Sequence, residues 1–151
     1  MKKVLFVCLG NICRSPTADA VFTKRVSKLI PNIIVDSAGT ANWHIGNPPD
    51  ARASATAEEQ GYDMSGLYAR AVIRDDFHDF DYILAMDRQN LSDLETLRDG
   101  QGTKPQLFMD FAPAIAMREI PDPYYGGEDG FVKVIKMIEQ ASDGLIDKIL
   151  A

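Results

Sequence analysis

The sequence predicts a single α/β domain, a Rossmann-like three-layer sandwich in which helices flank a four-stranded parallel sheet. Two observations lead to this fold class. Short apolar runs of strand length alternate four times with longer stretches of helical period. The length of 151 residues also suits one domain, which we place at residues 1–151, and the sequence contains neither an internal repeat nor a linker.

The first strand and the first helix are joined by a loop that ends in a Ser-Pro pair. The apolar run 4–7 predicts a buried parallel strand. Ser15 predicts an N-cap and Pro16 the first helical residue, because proline has no N–H that the helix would need there. Apolar residues then recur at helical spacing up to the region of Pro31, which ends the helix.

The next segment combines a strand, two connections and a short helix. Residues 33–35 predict the second strand, and residues 37–40 predict a turn after it. Residues 42–50 are rich in glycine and proline and predict a loop. A short helix follows, and Gly61 predicts its C-terminal end, because glycine tolerates the left-handed conformation required there.

Two more strands and two more helices complete the pattern. Residues 82–86 predict the third strand, and Asp87 predicts the N-cap of the helix after it. Residues 106–109 predict the fourth strand. A loop at 120–130 leads to the last helix, in which Gly144 is expected to lower helix stability by up to about 1 kcal/mol.

Charge and cysteine content narrow the class of protein. The net charge of −6 argues against general nucleic-acid binding. No apolar run approaches the roughly 18 residues of a membrane span, and no signal-peptide pattern is present, so we expect a cytoplasmic protein. Cys8 and Cys13 are too close in sequence for a disulfide that would stabilise a secreted scaffold. Two cysteines and two dispersed histidines have no metal-ligand spacing, so we expect no metal and no cofactor.

The loop after the first strand has a pattern suited to phosphate: Cys8, five residues, Arg14 and Ser15. Ligands of open α/β sheets bind at the carboxyl ends of the strands, and this loop leads from such an end to a helix N-terminus. Its backbone N–H groups can form a nest for phosphate oxygens. Gly10 and Asn11 tolerate the left-handed conformation that such a loop needs. The predicted phosphate-binding loop comprises Leu9, Gly10, Asn11, Ile12, Cys13 and Ser15.

Cys8 and Arg14 are the candidates for the chemistry. Arg14 offers a planar fork for two phosphate oxygens and brings local positive charge to an acidic protein. An arginine and a helix N-terminus favour the thiolate form of a nearby cysteine. A thiolate in a phosphate cradle suits covalent phosphoryl transfer, and Ser15 can donate a hydrogen bond to it. Neither a Walker lysine nor GxGxxG accompanies the loop, so nucleotide binding is not favoured.

Asp122 is the candidate general acid. A departing phenolate or alkoxide needs a proton, and a positioned acid typically contributes about 10²–10⁴-fold to the rate. Asp122 stands between Pro121 and Pro123 after the fourth strand, from where it could reach the same sheet edge. Considered without any relative, the residue fits an ordinary Asp-Pro turn equally well.

Five segments of the chain resemble the low-molecular-weight protein tyrosine phosphatases in order and spacing. They are residues 7–16, 36–40, 46–50, 80–87 and 122–126. The first and the last are the most specific. The resemblance extends over essentially the whole chain.

The resemblance implies a metal-independent hydrolase that removes phosphate from phosphotyrosine and from aryl phosphates. Cys8 would attack phosphorus and form a cysteinyl-phosphate, while Arg14 would clamp the phosphate oxygens. Asp122 would protonate the leaving group and then activate water. Asn11, aided by Ser37, would hold the loop in its conformation.

The resemblance also implies roles around the site. Cys13 would form a reversible disulfide with the nucleophile under oxidation. Trp43, Tyr124 and Tyr125 would line a slot for a flat aromatic ring. The partner would be a phosphotyrosine-containing protein, and the bacterial appearance of residues 107–111 favours a bacterial tyrosine kinase. Inorganic phosphate and vanadate would act as inhibitors.

The chain departs from the family pattern at one supporting position. Many members have a histidine shortly before an Ala-Arg pair, where it supports the loop asparagine. Here Leu67 and Tyr68 precede the pair at 69–70, so the sequence does not predict this support. His44 and His78 do not occupy that position, and we interpret both as mainly solvated.

Three other functions would use part of the same pattern. A thiol-dependent arsenate reductase of this fold needs further cysteines downstream, and the chain has none after Cys13. A phosphotyrosine-binding module would use Arg14 but would need neither Cys8 nor Asp122. A redox sensor would use the two cysteines but would need no aromatic slot.

Overall fold

The computed structural model describes residues 2–123 and 127–151, and it confirms the α/β class. The strands are β1 (Lys3–Cys8), β2 (Ile34–Gly39), β3 (Tyr82–Ala85) and β4 (Gln106–Leu107). The α-helices are α1 (Arg14–Val26), α2 (Ala51–Glu59), α3 (Asp76–Asp79), α4 (Arg88–Arg98) and α5 (Gly127–Leu150). A 3₁₀ helix at Phe108–Phe111 follows β4.

The four strands form one parallel sheet in the order β2-β1-β3-β4. β1 is a central strand, in which Val4 lies opposite Val35 on one side and Tyr82 on the other. Residues 4–7 have no solvent-exposed surface. The carboxyl end of β1 is therefore fixed by hydrogen bonds to β2 and β3 and by packing on both faces of the sheet.

Alternate side chains of β1 enter two different cores, as the period of a strand requires. Phe6 packs edge-on against Phe22 of α1 and Phe108, with ring centroids 5.5 and 4.9 Å apart. Leu5 and Val7 point to the opposite side, into a core that includes side chains of α3 and α4. These two cores make the predicted three layers. Cys8 is in phase with Phe6 and belongs to the core on the α1 side.

Two predicted strand boundaries are wrong by more than one residue. Residues 37–39 were expected in a turn, but they extend β2 because they pair with β1, with Ser37 opposite Phe6. Phe108 and Met109 were expected in β4, but they belong to the 3₁₀ helix, where both side chains are fully buried. In both cases tertiary packing overrides the local apolar pattern.

The ends of the helices confirm two predictions and correct two: α1 begins at Arg14 rather than at Pro16, and it ends at Val26, five residues before Pro31. Asp87 caps α4 by accepting a hydrogen bond from the Asn90 N–H at 2.7 Å. Gly61 follows the end of α2 with a φ of 91°. Ser15 is not an N-cap, because α1 already begins at Arg14, which leaves the Ser15 hydroxyl for other partners. No helix among residues 2–123 and 127–151 is long and apolar enough to cross a membrane.

Gly144 has a packing role that its helix propensity does not reveal. A Cβ atom at this position would overlap the carbonyl oxygen of Phe111. The glycine thus lets α5 approach the 3₁₀ helix closely. The expected loss of helix stability is the cost of this contact.

Asp19 is a buried carboxyl on α1 with an altered acidity. Its side chain accepts a hydrogen bond from Thr23 at 3.3 Å, and only 6% of the residue is exposed. Burial, and secondly the negative charge of Asp36, raise the pKa of Asp19 to about 6, although hydrogen bonds from Thr23 and Ser37 oppose this. The folded protein therefore binds this proton more tightly than the unfolded chain does.

The Asp19→Asn variant should be more stable than the wild type above pH 7. The proton on Asp19 contributes its full stabilisation below the ordinary pKa of 3.8, and this contribution disappears as the pH rises through about 6. The difference between the ordinary pKa and the raised pKa of Asp19 corresponds to about 3 kcal/mol in the free energy of unfolding at pH 8. Urea denaturation from pH 4.5 to 8 should show that the difference in the free energy of unfolding between the variant and the wild type increases with pH. The exposed Asp147→Asn variant is the control, and a gap for Asp19→Asn that does not change with pH would contradict this account.

Candidate active site

The sulfur of Cys8 lies at the carboxyl end of β1, at the floor of a small cavity. Its side chain is nearly buried, with 3% of the residue exposed. The Ser15 hydroxyl oxygen is 3.0 Å from the sulfur, and the Ser15 backbone N–H also points to it at an N···S distance of 3.5 Å. Both contacts come from the first turn of α1. A thiolate at this position would thus receive hydrogen bonds at a helix N-terminus.

The loop between β1 and α1 is held from outside through its carbonyl groups. The carbonyls of Cys8 and Leu9 accept hydrogen bonds from residues 40 and 41, and the carbonyl of Ile12 accepts one from the N–H of Asp50. The Cys13 carbonyl is bonded to Thr17 of α1. With these carbonyls engaged by neighbouring segments, we expect an anion in the loop to meet N–H groups, as in an anion-binding nest.

The left-handed conformation predicted for the loop occurs at Asn11, which has a φ of 57°. Gly10 does not have a positive φ, so that part of the expectation is wrong. Gly10 instead makes room for His44, because a Cβ at Gly10 would lie 3.0 Å from the imidazole Cδ2. His44 is therefore packed against the loop and half-buried, rather than mainly solvated, whereas His78 is exposed as expected.

Gly39 is a structural requirement of the loop that the sequence reasoning missed. A Cβ at Gly39 would come within 2.7 Å of the Leu9 carbonyl oxygen and 3.2 Å of the Asn11 nitrogen. The end of β2 and the loop are thus in backbone contact. The segment 36–40, which carried part of the family resemblance, was the available signal for this role.

Arg14 is the first residue of α1, and only 6% of it is exposed. Its Nη1 donates to Asp87 Oδ2 at 2.6 Å and to the Ile120 carbonyl at 3.1 Å. Burial alone would lower the pKa of Arg14. The negative charges of Cys8 and Asp87 outweigh that effect and raise it. The guanidinium stays charged beside the sulfur, and Asp87 both caps α4 and orients Arg14.

Asn11 is supported through both ends of its side-chain amide. Its Oδ1 accepts a hydrogen bond from the Arg70 backbone N–H at 2.9 Å, and its Nδ2 donates to the Ser15 hydroxyl at 2.8 Å. Ser37, predicted to help support Asn11, is not among the side-chain hydrogen-bond partners of Asn11 within the described residues. The support of the loop thus comes from Ser15 and Arg70.

One cavity brings the predicted catalytic residues together. It has a volume of about 140 Å³ and is lined by Cys8, Leu9, Gly10, Ile12, Cys13, Arg14, Trp43, His44 and Asp122. Trp43 is 69% exposed at the rim. Tyr124 and Tyr125, the other predicted rim residues, lie outside the described residues.

A second cavity and the distribution of possible metal ligands were compared with the cavity around Cys8. A larger cavity of about 660 Å³, lined by residues 48, 49, 54, 58 and 61–68, shares no lining residue with the cavity around Cys8. Within the described part of the chain, no group of three or more His, Cys, Asp or Glu side chains converges as metal ligands would. The smaller cavity, which Cys8, Arg14 and Asp122 line together, is therefore the candidate active site.

Cys13 is the second cysteine in the cavity wall, and both cysteines are free thiols. Burial, followed by the negative charges of Cys8, Asp50 and Asp122, raises the pKa of the Cys13 thiol far above its ordinary value, and Arg14 only partly offsets this. Cys13 is thus protonated at neutral pH. It is a poor nucleophile next to a sulfur that receives hydrogen bonds from Ser15.

A cysteine in a strand-to-helix loop, an arginine at the helix start and an aspartate in the same cavity form the arrangement of a cysteine-dependent phosphatase. The family model for low molecular weight phosphotyrosine protein phosphatases matches residues 3–151. The chain therefore belongs to this family, and it is a protein-tyrosine phosphatase and a hydrolase.

Individual relatives agree with this assignment. The low molecular weight protein-tyrosine-phosphatase YfkJ of Bacillus subtilis is 40% identical over 152 residues, which cover 99% of this chain and 96% of the relative. The crystal structure of YfkJ matches with a TM-score of 0.93 at 38% identity, covering 99% and 95% of the two chains. Vibrio vulnificus Wzb in complex with benzylphosphonate matches with a TM-score of 0.85 at 31% identity, covering 97% and 98%.

Proposed function

We propose that Cys8 is the nucleophile of this phosphatase and that Arg14 and Asp122 complete its catalytic set. The main support is the position of the Cys8 sulfur, which receives two contacts from Ser15 inside a cavity that Arg14 and Asp122 also line. In the first step the thiolate attacks phosphorus and the bond from phosphorus to the ester oxygen breaks. The Asp122 carboxyl gives its proton to the departing phenolate.

The second step returns the enzyme to its starting state. The Asp122 carboxylate takes a proton from water, the water oxygen attacks the phosphorus of cysteinyl-phosphate, and the sulfur–phosphorus bond breaks. Inorganic phosphate leaves and the thiolate is restored. Ser15 donates a hydrogen bond to the departing sulfur, from a distance of 3.0 Å in the resting structure. No step requires a metal ion or an organic cofactor.

Arg14 and the phosphate-binding loop stabilise the charge that develops on the phosphoryl oxygens. The loop comprises Leu9, Gly10, Asn11, Ile12, Cys13 and Ser15. Arg14 contributes a guanidinium whose Nη1 is already oriented by Asp87 and the Ile120 carbonyl. A pre-oriented donor stabilises a transition state more effectively than one that must reorganise.

The substrates of the proposed mechanism are phosphotyrosine and other aryl phosphates. Trp43 stands exposed at the rim of the cavity, where it can contact a flat ring. Tyr124 and Tyr125 complete the proposed slot. The similar Wzb of Vibrio vulnificus binds benzylphosphonate, an aromatic phosphonate, which supports an aromatic phosphate ester as the substrate here.

The proposed partner is a phosphotyrosine-containing protein, and more narrowly a bacterial tyrosine kinase, in the cytoplasm. The free thiols of Cys8 and Cys13 suit a reducing compartment. Bacterial phosphatases among the relatives support the bacterial partner. The match of one family model to residues 3–151 supports a single domain over residues 1–151. Capture of a tyrosine-phosphorylated kinase by the Asp122→Ala variant, compared with the double variant that also carries Cys8→Ala, would identify the partner.

The purified protein should hydrolyse p-nitrophenyl phosphate in the presence of excess chelator, and vanadate and inorganic phosphate should inhibit it competitively. Cys8→Ser should abolish turnover, because a serine hydroxyl in this cavity is a much weaker nucleophile than a thiolate. Steady-state absorbance assays measure both effects. Full activity of Cys8→Ser, or loss of wild-type activity with chelator, would overturn the mechanism. Binding of a phosphotyrosine peptide without any turnover would indicate a recognition module instead.

Asp122→Ala should slow the reaction most for substrates with poor leaving groups. We expect a loss of about 10²–10⁴-fold in kcat/KM with a phosphotyrosine peptide, because its phenolate needs the proton. The loss should be smaller for p-nitrophenyl phosphate, whose leaving group is stable as an anion. Equal losses across a series of aryl phosphates would show that Asp122 is not the acid.

Cys13 is proposed to protect Cys8 from irreversible oxidation. Peroxide would convert the Cys8 thiolate to a sulfenic acid. The Cys13 sulfur would then attack the sulfur of the sulfenic acid and form a disulfide. The hydroxide that leaves would combine with the thiol proton of Cys13 to give water. The raised pKa of Cys13 makes this second reaction slow unless the two sulfurs are close, and both residues line the same cavity.

After prolonged peroxide treatment, dithiothreitol should restore most wild-type activity but little activity of Cys13→Ala. Without Cys13, the sulfenic acid proceeds to irreversible products. Mass spectrometry of the oxidised wild type should show a loss of two hydrogens within the peptide that contains both cysteines. Inactivation of the wild type that dithiothreitol cannot reverse would count against a protective disulfide.

A further inference from the structure

A chain of three hydrogen bonds leads from residue 70 to the Cys8 sulfur. The Arg70 backbone N–H donates to Asn11 Oδ1 at 2.9 Å, and Asn11 Nδ2 donates to Ser15 Oγ at 2.8 Å. Ser15 Oγ lies 3.0 Å from Cys8 Sγ. Asn11 and Ser15 are almost fully buried, so water cannot readily replace these partners.

The first donor in the chain fixes the direction of all the others. A backbone N–H can only donate, so the atom of Asn11 that faces it must be the carbonyl oxygen. The amide nitrogen then faces Ser15 and uses a lone pair of its hydroxyl oxygen. The hydroxyl proton is left to donate to the Cys8 sulfur, which is closer than the alternative acceptor, the Ala38 carbonyl at 3.5 Å.

Without the Arg70 N–H at this position, the Asn11 amide could rotate by half a turn. Its oxygen would then accept the Ser15 proton, and the Cys8 sulfur would lose its hydroxyl donor. Aligned donors also polarise one another in a buried chain, which strengthens the final bond to the sulfur. The position of one backbone N–H thus affects a sulfur to which it is not bonded.

Ion pairs of the Arg70 side chain add to the main-chain hydrogen bonds that hold this backbone N–H in place. Arg70 lies outside any strand, and its segment joins the end of β2 at the bridge between Gly39 and Ala71, where the Gly39 N–H donates to the Arg70 carbonyl at 2.8 Å and the Val72 N–H donates to the Gly39 carbonyl at 2.9 Å. Its guanidinium is bidentate to Asp76, with N···O distances of 3.0 and 3.1 Å, and it also contacts Asp36 at 3.0 Å. Asp76 is only 4% exposed and is itself held by the Ile73 N–H. Such bidentate pairs fix geometry as well as charge.

We propose that Arg70 is a positioning residue for the phosphatase reaction: its ion pairs with Asp36 and Asp76 hold its backbone N–H against Asn11, and through Asn11 direct the Ser15 proton to the Cys8 sulfur. This inference rests on the proposed role of Cys8 as nucleophile. We call these ion pairs of Arg70 with Asp36 and Asp76 the clamp. The clamp supplies the loop support that a histidine before the Ala-Arg pair provides in many family members. Here Leu67 and Tyr68 occupy that region.

Arg70→Gln tests the clamp, and Arg25→Gln is its matched control. Arg25 is likewise bidentate to an aspartate, Asp143, at 2.9 and 2.8 Å. The exposed fractions of the two arginine side chains are 31% and 33%. Arg25 does not line the Cys8 cavity and is not bonded to the loop. Any general effect of losing a partly exposed ion-paired arginine should therefore appear in both variants.

We expect kcat of Arg70→Gln to fall about tenfold, the usual effect of losing one hydrogen bond to a charged group. KM should not rise, because Arg14 and the loop amides still bind phosphate. The acidic limb of the kcat/KM–pH profile should move to higher pH as the sulfur loses its donor. Arg70→Lys, which can pair with one carboxylate, should recover part of kcat. Arg25→Gln should remain within about twofold of the wild type in kcat.

A double-mutant cycle with Ser15→Ala distinguishes an effect of Arg70 on the Ser15 hydroxyl from a general destabilisation of the loop. If Arg70 acts through Ser15, the tenfold loss should shrink to less than about twofold in the Ser15→Ala background, because the chain is already broken there. Additive losses, an unchanged pH profile, or equal effects of Arg70→Gln and Arg25→Gln would overturn the proposal. Thermal melts confirm that each variant is folded, and Arg70→Lys takes the place of Arg70→Gln in the cycle if the latter is not.

Failure of this inference can be distinguished from failure of the proposed function. Full activity of Cys8→Ser would refute the role of Cys8, whatever Arg70 does. An inactive Cys8→Ser together with wild-type kinetics of Arg70→Gln would leave the nucleophile in place and refute only the clamp.

Discussion

The left-handed conformation of Asn11 is the constraint on which the rest of the site depends. A residue with a side chain adopts this conformation only at a cost, and the surrounding contacts must offset it. The end of β2 approaches the loop so closely at Gly39 that no side chain fits. The amide of Asn11 is fixed from both ends. The strain in the loop is therefore held by the sheet, the helix and the segment around Arg70 together.

The electrostatics of the site are local and differ from those of the whole protein. The chain has a net charge of −6, yet the sulfur of Cys8 lies beside the start of α1 and a buried arginine. Asp87 neutralises part of that positive charge, but it also fixes the direction of Arg14 through a bond of 2.6 Å. Because Arg14 is nearly excluded from water, its charge acts on its neighbours in the cavity with little screening.

Much of this architecture could be predicted from the sequence. The apolar runs indicated all four strands, and the spacing of Cys8 and Arg14 indicated the loop, because each signal is local. The extra length of β2 and the shortening of β4 could not be read in this way, since both depend on pairing and packing with distant segments. The same holds for the clamp at Arg70. Its partners at Asp36 and Asp76 are recognisable only once the sheet has brought them together.

The central position of β1 separates two parts of the enzyme that can change independently. Cys8 ends a strand whose core residues have no exposed surface, so almost any change near it disturbs the packing of the whole domain. Asp122 is exposed on a surface segment, where the neighbouring prolines restrict the backbone. If Asp122 is the acid, as proposed, substitutions in its segment can change the rim of the cavity while the packing around the Cys8 thiol stays the same. In the proposed mechanism the nucleophile therefore lies where packing leaves little room for substitution, and the acid lies where the exposed surface permits it.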